Sequence, residues 1–107
     1  DTATHVIFMM PTAEAAKTFQ AATKEVGCPA AIIEENTWHY AKHWQALESM
    51  GEKDYFGTRT PSYAPATMAK SDAILSRAVM FGLNIIMDDA SVNKMIDAIR
   101  AGAKAAL

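Results

Sequence analysis

The side chains best able to do chemistry in this sequence lie between Glu34 and Trp44. His39 and His43 are four residues apart, so a helix would place both imidazoles on one face. That is half of a metal site, because a catalytic zinc takes a third protein ligand and keeps an open position. The intervening residues are Tyr40, Ala41 and Lys42, so the His-Glu-x-x-His metalloprotease pattern fails at its Glu. Glu34 and Glu35 could add oxygen ligands, but nothing in the sequence fixes them there. Two half-exposed helix histidines are the simpler reading, and no metal is assigned. Trp38, Tyr40 and Trp44 surround the histidines. Tyr40 and Trp44 can share a helix face, either as a packed stripe or as a wall for a planar or sugar-like ligand.

Other candidates are weaker. Cys28 sits between Gly27 and Pro29, with no Cys-His signature around it, and reads as a turn cysteine. Asp88-Asp89 precedes an amphipathic segment and reads as a helix cap. The seven Met residues are dispersed among apolar positions, where Met fills gaps. Arg77, between Leu75 and Val79, either snorkels or points a fixed fork at a carboxylate or phosphate. There is no Walker-type loop, no Gly-x-Gly-x-x-Gly and no Gly-x-Ser-x-Gly. No nucleophile, base and orienter assemble, so no catalytic residue is assigned.

The elements that must position these groups follow from periodicity. His5 to Met10 is a short apolar run suited to a buried strand. Thr12 can cap a helix over residues 13 to 26, with Glu14 in its positive first turn, Ala15, Phe19, Ala22 and Val26 on one face, and Gly27 as its stop. Ala30 to Glu34 is a second strand. Asn36 and Thr37 then precede a predicted helix from Trp38 to Met50. Residues 51 to 70 carry no clear period and form a long loop. Ser71-Asp72 is placed at the start of a third helix, Ala73 to Val79 or Phe81, and Leu83 to Met87 reads as the third strand. Asp88 or Asp89 caps a last helix in which Val92, Met95, Ile96 and Ile99 repeat at i, i+3, i+4, i+7.

The order is β-α-β-α-loop-α-β-α. Three short strands cannot cover helices on both faces. The economical solution is an α+β two-layer sandwich, a small, mostly antiparallel three-stranded sheet with helices on one face. At 107 residues the chain is a single domain, 1–107. Ten basic and 12 acidic side chains give a net charge of -2 with no Lys/Arg cluster, so no nucleic-acid partner is expected. A single cysteine excludes an intramolecular disulfide. No apolar run approaches the length needed to span a bilayer, and no signal peptide is visible, so no membrane and a cytoplasmic location are expected. The sequence starts at Asp1 and not Met, which leads us to expect a part of a longer protein.

Taken in order, these segments resemble the C-terminal small domain of DegT/DnrJ-type enzymes, sugar aminotransferases of the fold-type-I pyridoxal-phosphate class. The corresponding pieces are His5 to Met10, Lys24-Glu25-Val26-Gly27, and Asn36-Thr37-Trp38-His39-Tyr40. The block Met68-Ala69-Lys70-Ser71-Asp72-Ala73-Ile74-Leu75-Ser76-Arg77-Ala78 is similar to a stretch in the branch acting on keto-deoxy sugars. Asp88 to Ile99 resembles the closing helix. The resemblance spans essentially the whole chain, and its distinctive parts are Trp38-His39-Tyr40 and Ser71 to Arg77. The sequence departs from the family where a His-Tyr-x-Pro-x-His segment is usual. Ala41-Lys42-His43-Trp44 follows His39-Tyr40 here, so the family's second-histidine contact is not carried over.

The resemblance implies a pyridoxal-phosphate enzyme that transfers an amino group to a keto sugar, or dehydrates the sugar by related chemistry. The cofactor lysine would lie in an N-terminal large domain of the same protein, outside this chain, and the whole would be a homodimer. Neither Lys42 nor Lys70 sits in a matching motif. His39 and Tyr40 are expected to contact the keto-sugar substrate, with Arg77 facing an anionic substituent. The alternative from another class is a free-standing ferredoxin-like module that binds a small molecule and regulates, with residues 51 to 66 as its ligand loop.

Overall fold

A computed structural model describes residues 4–44 and 68–107 of the chain. Within them the order is β1 (His5–Met9), α1 (Ala13–Glu25), β2 (Ala31–Ile32), a 3-10 turn (Ile33–Glu35), a second 3-10 turn (Ala41–His43), α2 (Ala69–Leu75), β3 (Ala78–Gly82) and α3 (Asp89–Ala106). The three strands form one sheet in the order β1-β3-β2, and both pairings are antiparallel. β1 and β2 therefore run parallel on either side of β3, joined through α1 as a split β-α-β unit. This is the α+β sandwich that the sequence predicts.

The helix ends form where cap chemistry demands. Thr12 Oγ1 accepts the Ala15 amide at 3.1 Å, and Asp88 Oδ1 accepts the Ser91 amide at 2.9 Å. Glu14 in the first turn of α1 has its carboxyl held below the ordinary range, first by backbone amide donation and then by Thr12. α1 closes at its cap Val26, and Gly27 follows with a φ of +76°, open to glycine at little cost.

The core lies between the sheet and the α1–α3 pair. Register pairs Val6 with Phe81 and Phe8 with Val79, and it sets Ile32 beside Val79. Phe8, Phe19 and Phe81 meet with ring centroids 6.2 to 6.4 Å apart. Ala16, Phe19 and Ala98 come in from the helices. α3 approaches α1 so closely that a Cβ on Gly102 would lie 2.7 Å from the Phe19 ring. Thr23 is fully buried and satisfied: its hydroxyl donates to the Gln20 carbonyl at 2.8 Å and accepts the Ala30 amide at 2.9 Å. The opposite face of the sheet carries Ile7 and Met9, each about half exposed.

Three expectations are corrected. The third strand is Ala78–Gly82, not Leu83 to Met87. Val79 and Phe81 alternate inward in register with β1, which a helix could not do. The Leu83 to Met87 run makes a turn: Asn84 Oδ1 accepts the Ile86 amide, and Ile85 and Ile86 stand 92% and 82% exposed. The third helix occupies Ala69–Leu75, so Ser71 lies inside its first turn and does not cap it, while Asp72 stands as the expected first-turn acid. The second helix is absent over residues 38 to 44, where turns and a 3-10 segment stand instead. Asn36 Oδ1 accepts the amides of Trp38 and His39 at 2.9 and 3.0 Å, and so diverts donors that a helix would need. The expected continuation of that helix to Met50 and the 51 to 66 loop lie outside the described residues.

Candidate functional site

With no helix over residues 38 to 44, the one-face arrangements expected for His39 with His43 and for Tyr40 with Trp44 do not form. The segment instead folds back on itself. Asn36 gathers the Trp38 and His39 amides, and its own carbonyl accepts the Tyr40 amide at 3.2 Å. Trp44 reaches back so that its indole N–H donates to the Thr37 carbonyl at 3.0 Å. His43 Nε2 donates to the Glu34 carbonyl at 2.6 Å, and its ring meets Tyr40 edge-on at 5.7 Å. Trp38 points outward, 83% exposed. His39 is exposed, and its ring makes no hydrogen bond among the described residues.

Tyr40 is the inward anchor, 7% exposed, and its hydroxyl donates to Asp72 Oδ1 at 2.6 Å. The same oxygen lies 3.1 Å from Lys42 Nζ, which also donates to Glu34 Oε1 at 2.9 Å. One ammonium thus bridges two carboxylates, linking the exit of β2 to the first turn of α2. Sequence reasoning weighed Glu34 only as a metal ligand and Asp72 only as a helix-start acid. Thirty-two positions separate Tyr40 from Asp72. No spacing rule joins them, and the only sequence signal was that both belong to distinctive motifs of the resemblance.

The electrostatics describe a closed network. Burial, then the Asp72 hydrogen bond, pushes the Tyr40 phenol up to about 12. Tyr40 is therefore a hydrogen-bond donor at neutral pH and not a base. The Tyr40 hydroxyl, followed by Lys42, holds the Asp72 carboxyl below its ordinary value. Donation to Glu34, followed by Asp72, holds the Lys42 ammonium above its own. None of the three is poised for proton transfer near pH 7.

Arg77 lies apart from this cluster. Its Nε donates to the Ala73 carbonyl at 3.0 Å, and Nη1 lies 3.4 and 3.3 Å from the carbonyls of Met10 and Pro11. The guanidinium ties the exit of β1 to α2, and no hydrogen bond joins it to His39 or Tyr40 among the described residues. Cys28 is half-buried after the Gly27 turn. A pocket of about 370 Å³ opens beside β2, with Gln20 and Glu35 hydrogen-bonded at its side. Among the described residues no group of three or more His, Cys, Asp or Glu side chains converges on a metal position, and no helix is long and apolar enough to cross a membrane.

Capturing the aldehyde of pyridoxal phosphate takes an amine that can shed its proton, and Lys42, fixed as an ammonium between two carboxylates, does not fit that role. Lys70 stands exposed in the first turn of α2. No protein-family model matches the sequence, and no curated protein aligns with it significantly.

Proposed function

We propose that this chain is the C-terminal small domain of a pyridoxal-phosphate-dependent sugar aminotransferase, forming one wall of the substrate cleft and not catalytic alone. The observation that carries the reading is the 2.6 Å hydrogen bond from Tyr40 to Asp72. It joins the two stretches on which the DegT/DnrJ resemblance chiefly rests, Trp38-His39-Tyr40 and Ser71 to Arg77. Half-exposed Ile7 and Met9 on the outer sheet face also suit a domain built against another.

In this reading the cofactor belongs to an N-terminal large domain and supplies the electron sink for amino transfer or related dehydration. The residues of this chain bind and orient the keto sugar. His39 offers to its hydroxyls an exposed imidazole with no hydrogen bond among the described residues, and Tyr40 holds the turn that carries it. Arg77, with its Nε and Nη1 turned to backbone carbonyls, is the weaker contact for an anionic substituent. The working protein would be a cytoplasmic homodimer.

One feature favours a second reading. The β1-β3-β2 order matches three strands of a ferredoxin-like sheet, which suits a free-standing regulatory module that binds a small molecule. The test is to tag the full-length polypeptide in its own gene, purify it, and assay amino transfer from an amino acid to keto sugars. The proposal predicts transfer, with His39→Ala raising KM for the sugar more than it lowers kcat. Metabolite binding with no transfer to any keto sugar would overturn it in favour of the regulatory module.

A further inference from the structure

We propose that Asp72 is a positioning residue for His39: from the first turn of α2 it holds the far end of the turn that presents the imidazole. The inference rests on the reading of His39 as a substrate contact.

The turn is pinned at two ends and left open between them. At its start the Asn36 side chain accepts the amides of Trp38 and His39. At its end Tyr40 is buried, and its hydroxyl rests on Asp72 Oδ1. His39 is the residue directly between these fixed points, exposed and with its ring free of hydrogen bonds among the described residues. Asn36 acts within the turn, whereas Asp72 acts from another element. Its Oδ1 accepts from both Tyr40 Oη and Lys42 Nζ, and Lys42 in turn grips Glu34 before the turn begins. One carboxylate oxygen therefore ties both Tyr40 and Lys42 to α2. A hydrogen bond to a charged acceptor is among the stronger ties a side chain can make, and it fixes direction as well as distance. Without it, the turn would lose its orientation on the domain, and its internal Asn36 bonds would open more often. The imidazole would then be presented over a range of positions, which weakens binding without changing the chemistry that follows.

Two substitutions separate the parts. Asp72→Asn keeps an oxygen for Tyr40 but loses the charge that Lys42 needs. Asp72→Ala loses both. The measurement is hydrogen–deuterium exchange on the native polypeptide, read by mass spectrometry, together with KM and kcat for amino transfer to the keto sugar. In Asp72→Ala, peptides spanning 36 to 42 should exchange about tenfold faster, the change expected for loss of a charged hydrogen bond. Peptides across α1 and α3 should keep their rates. KM should rise as it does in His39→Ala, kcat should hold, and the double variant should be no worse than His39→Ala alone. Asp72→Asn should recover part of both effects.

Unchanged exchange over 36 to 42 in Asp72→Ala overturns the positioning role. Faster exchange with an unchanged KM, where His39→Ala raises KM, overturns its transmission to the substrate. If His39→Ala itself leaves KM unchanged, the substrate reading of the turn fails, and the role assigned to Asp72 in binding fails with it.

Discussion

The α1–α3–sheet core and the Glu34–Asp72 cluster are both parts of one small domain, yet different forces hold them. The core is closed by shape. Phe19 sits in van der Waals contact with Gly102, and Thr23 satisfies its hydroxyl within the fold. The cluster is closed by direction, through a phenol, an ammonium and two carboxylates linked at 2.6 to 3.1 Å around 3-10 turns. The first region buries apolar side chains, as a stable scaffold must, and the second joins polar side chains around 3-10 turns.

The comparison breaks if the core is not the source of stability. Phe19→Ala removes the ring that joins both helices to the sheet and should cost about 3–5 kcal/mol in urea unfolding. Gly102→Ala sharpens the shape argument. Its Cβ would press on the Phe19 ring at 2.7 Å and should cost about 1–3 kcal/mol, although alanine is the better helix former. Tyr40→Phe probes the other region. It deletes one donor while Asp72 keeps Lys42, so global stability should fall by less than about 1.5 kcal/mol while the 36 to 42 turn loosens. A loss as large as that of Phe19→Ala would erase the distinction between the regions.

The smallest expected effect is that of pH, and its sign differs at the two extremes. The Asp72 carboxyl is held low, so its stabilisation is present above its ordinary value of 3.8 and is lost as pH falls through the depressed one. Lys42 is held high, so its share is present below 10.5 and is lost as pH rises through its raised value. The neutral Tyr40 phenol behaves likewise, failing as pH climbs from 10 through about 12. Hydrogen exchange over 36 to 42, with intrinsic rates corrected for pH, should show unchanged protection between about pH 4 and 10 and lose it only as pH falls below the first or climbs beyond the second. A transition inside that range would contradict this account of the cluster.

The helices were far more legible in the sequence than the cluster. The 3.6-residue repeat and the caps at Thr12 and Asp88 act locally, so neighbouring residues suffice to place the helices. The buried face of α3 was read less well: Met95 and Ile99 pack against the core, but Val92 and Ile96 stand exposed, and the fully buried positions are the small residues Ala98 and Gly102. The third strand was misplaced because Leu83 to Met87 is the more apolar run. β3, by contrast, begins at Ala78 and ends at Gly82, and only pairing with β1 reveals it. The 36 to 44 turn was misread as helix because the Asn36 side chain competes with the helical ladder. The Tyr40–Asp72 contact depends on tertiary structure alone.

The central claim is that this domain serves a cofactor held outside it. Borohydride reduction of the native polypeptide, followed by peptide mapping, tests this most directly. The account predicts a pyridoxyl group on a lysine that precedes Asp1. A pyridoxyl group on Lys42, Lys70 or any other lysine of residues 1–107, or none at all, would contradict it.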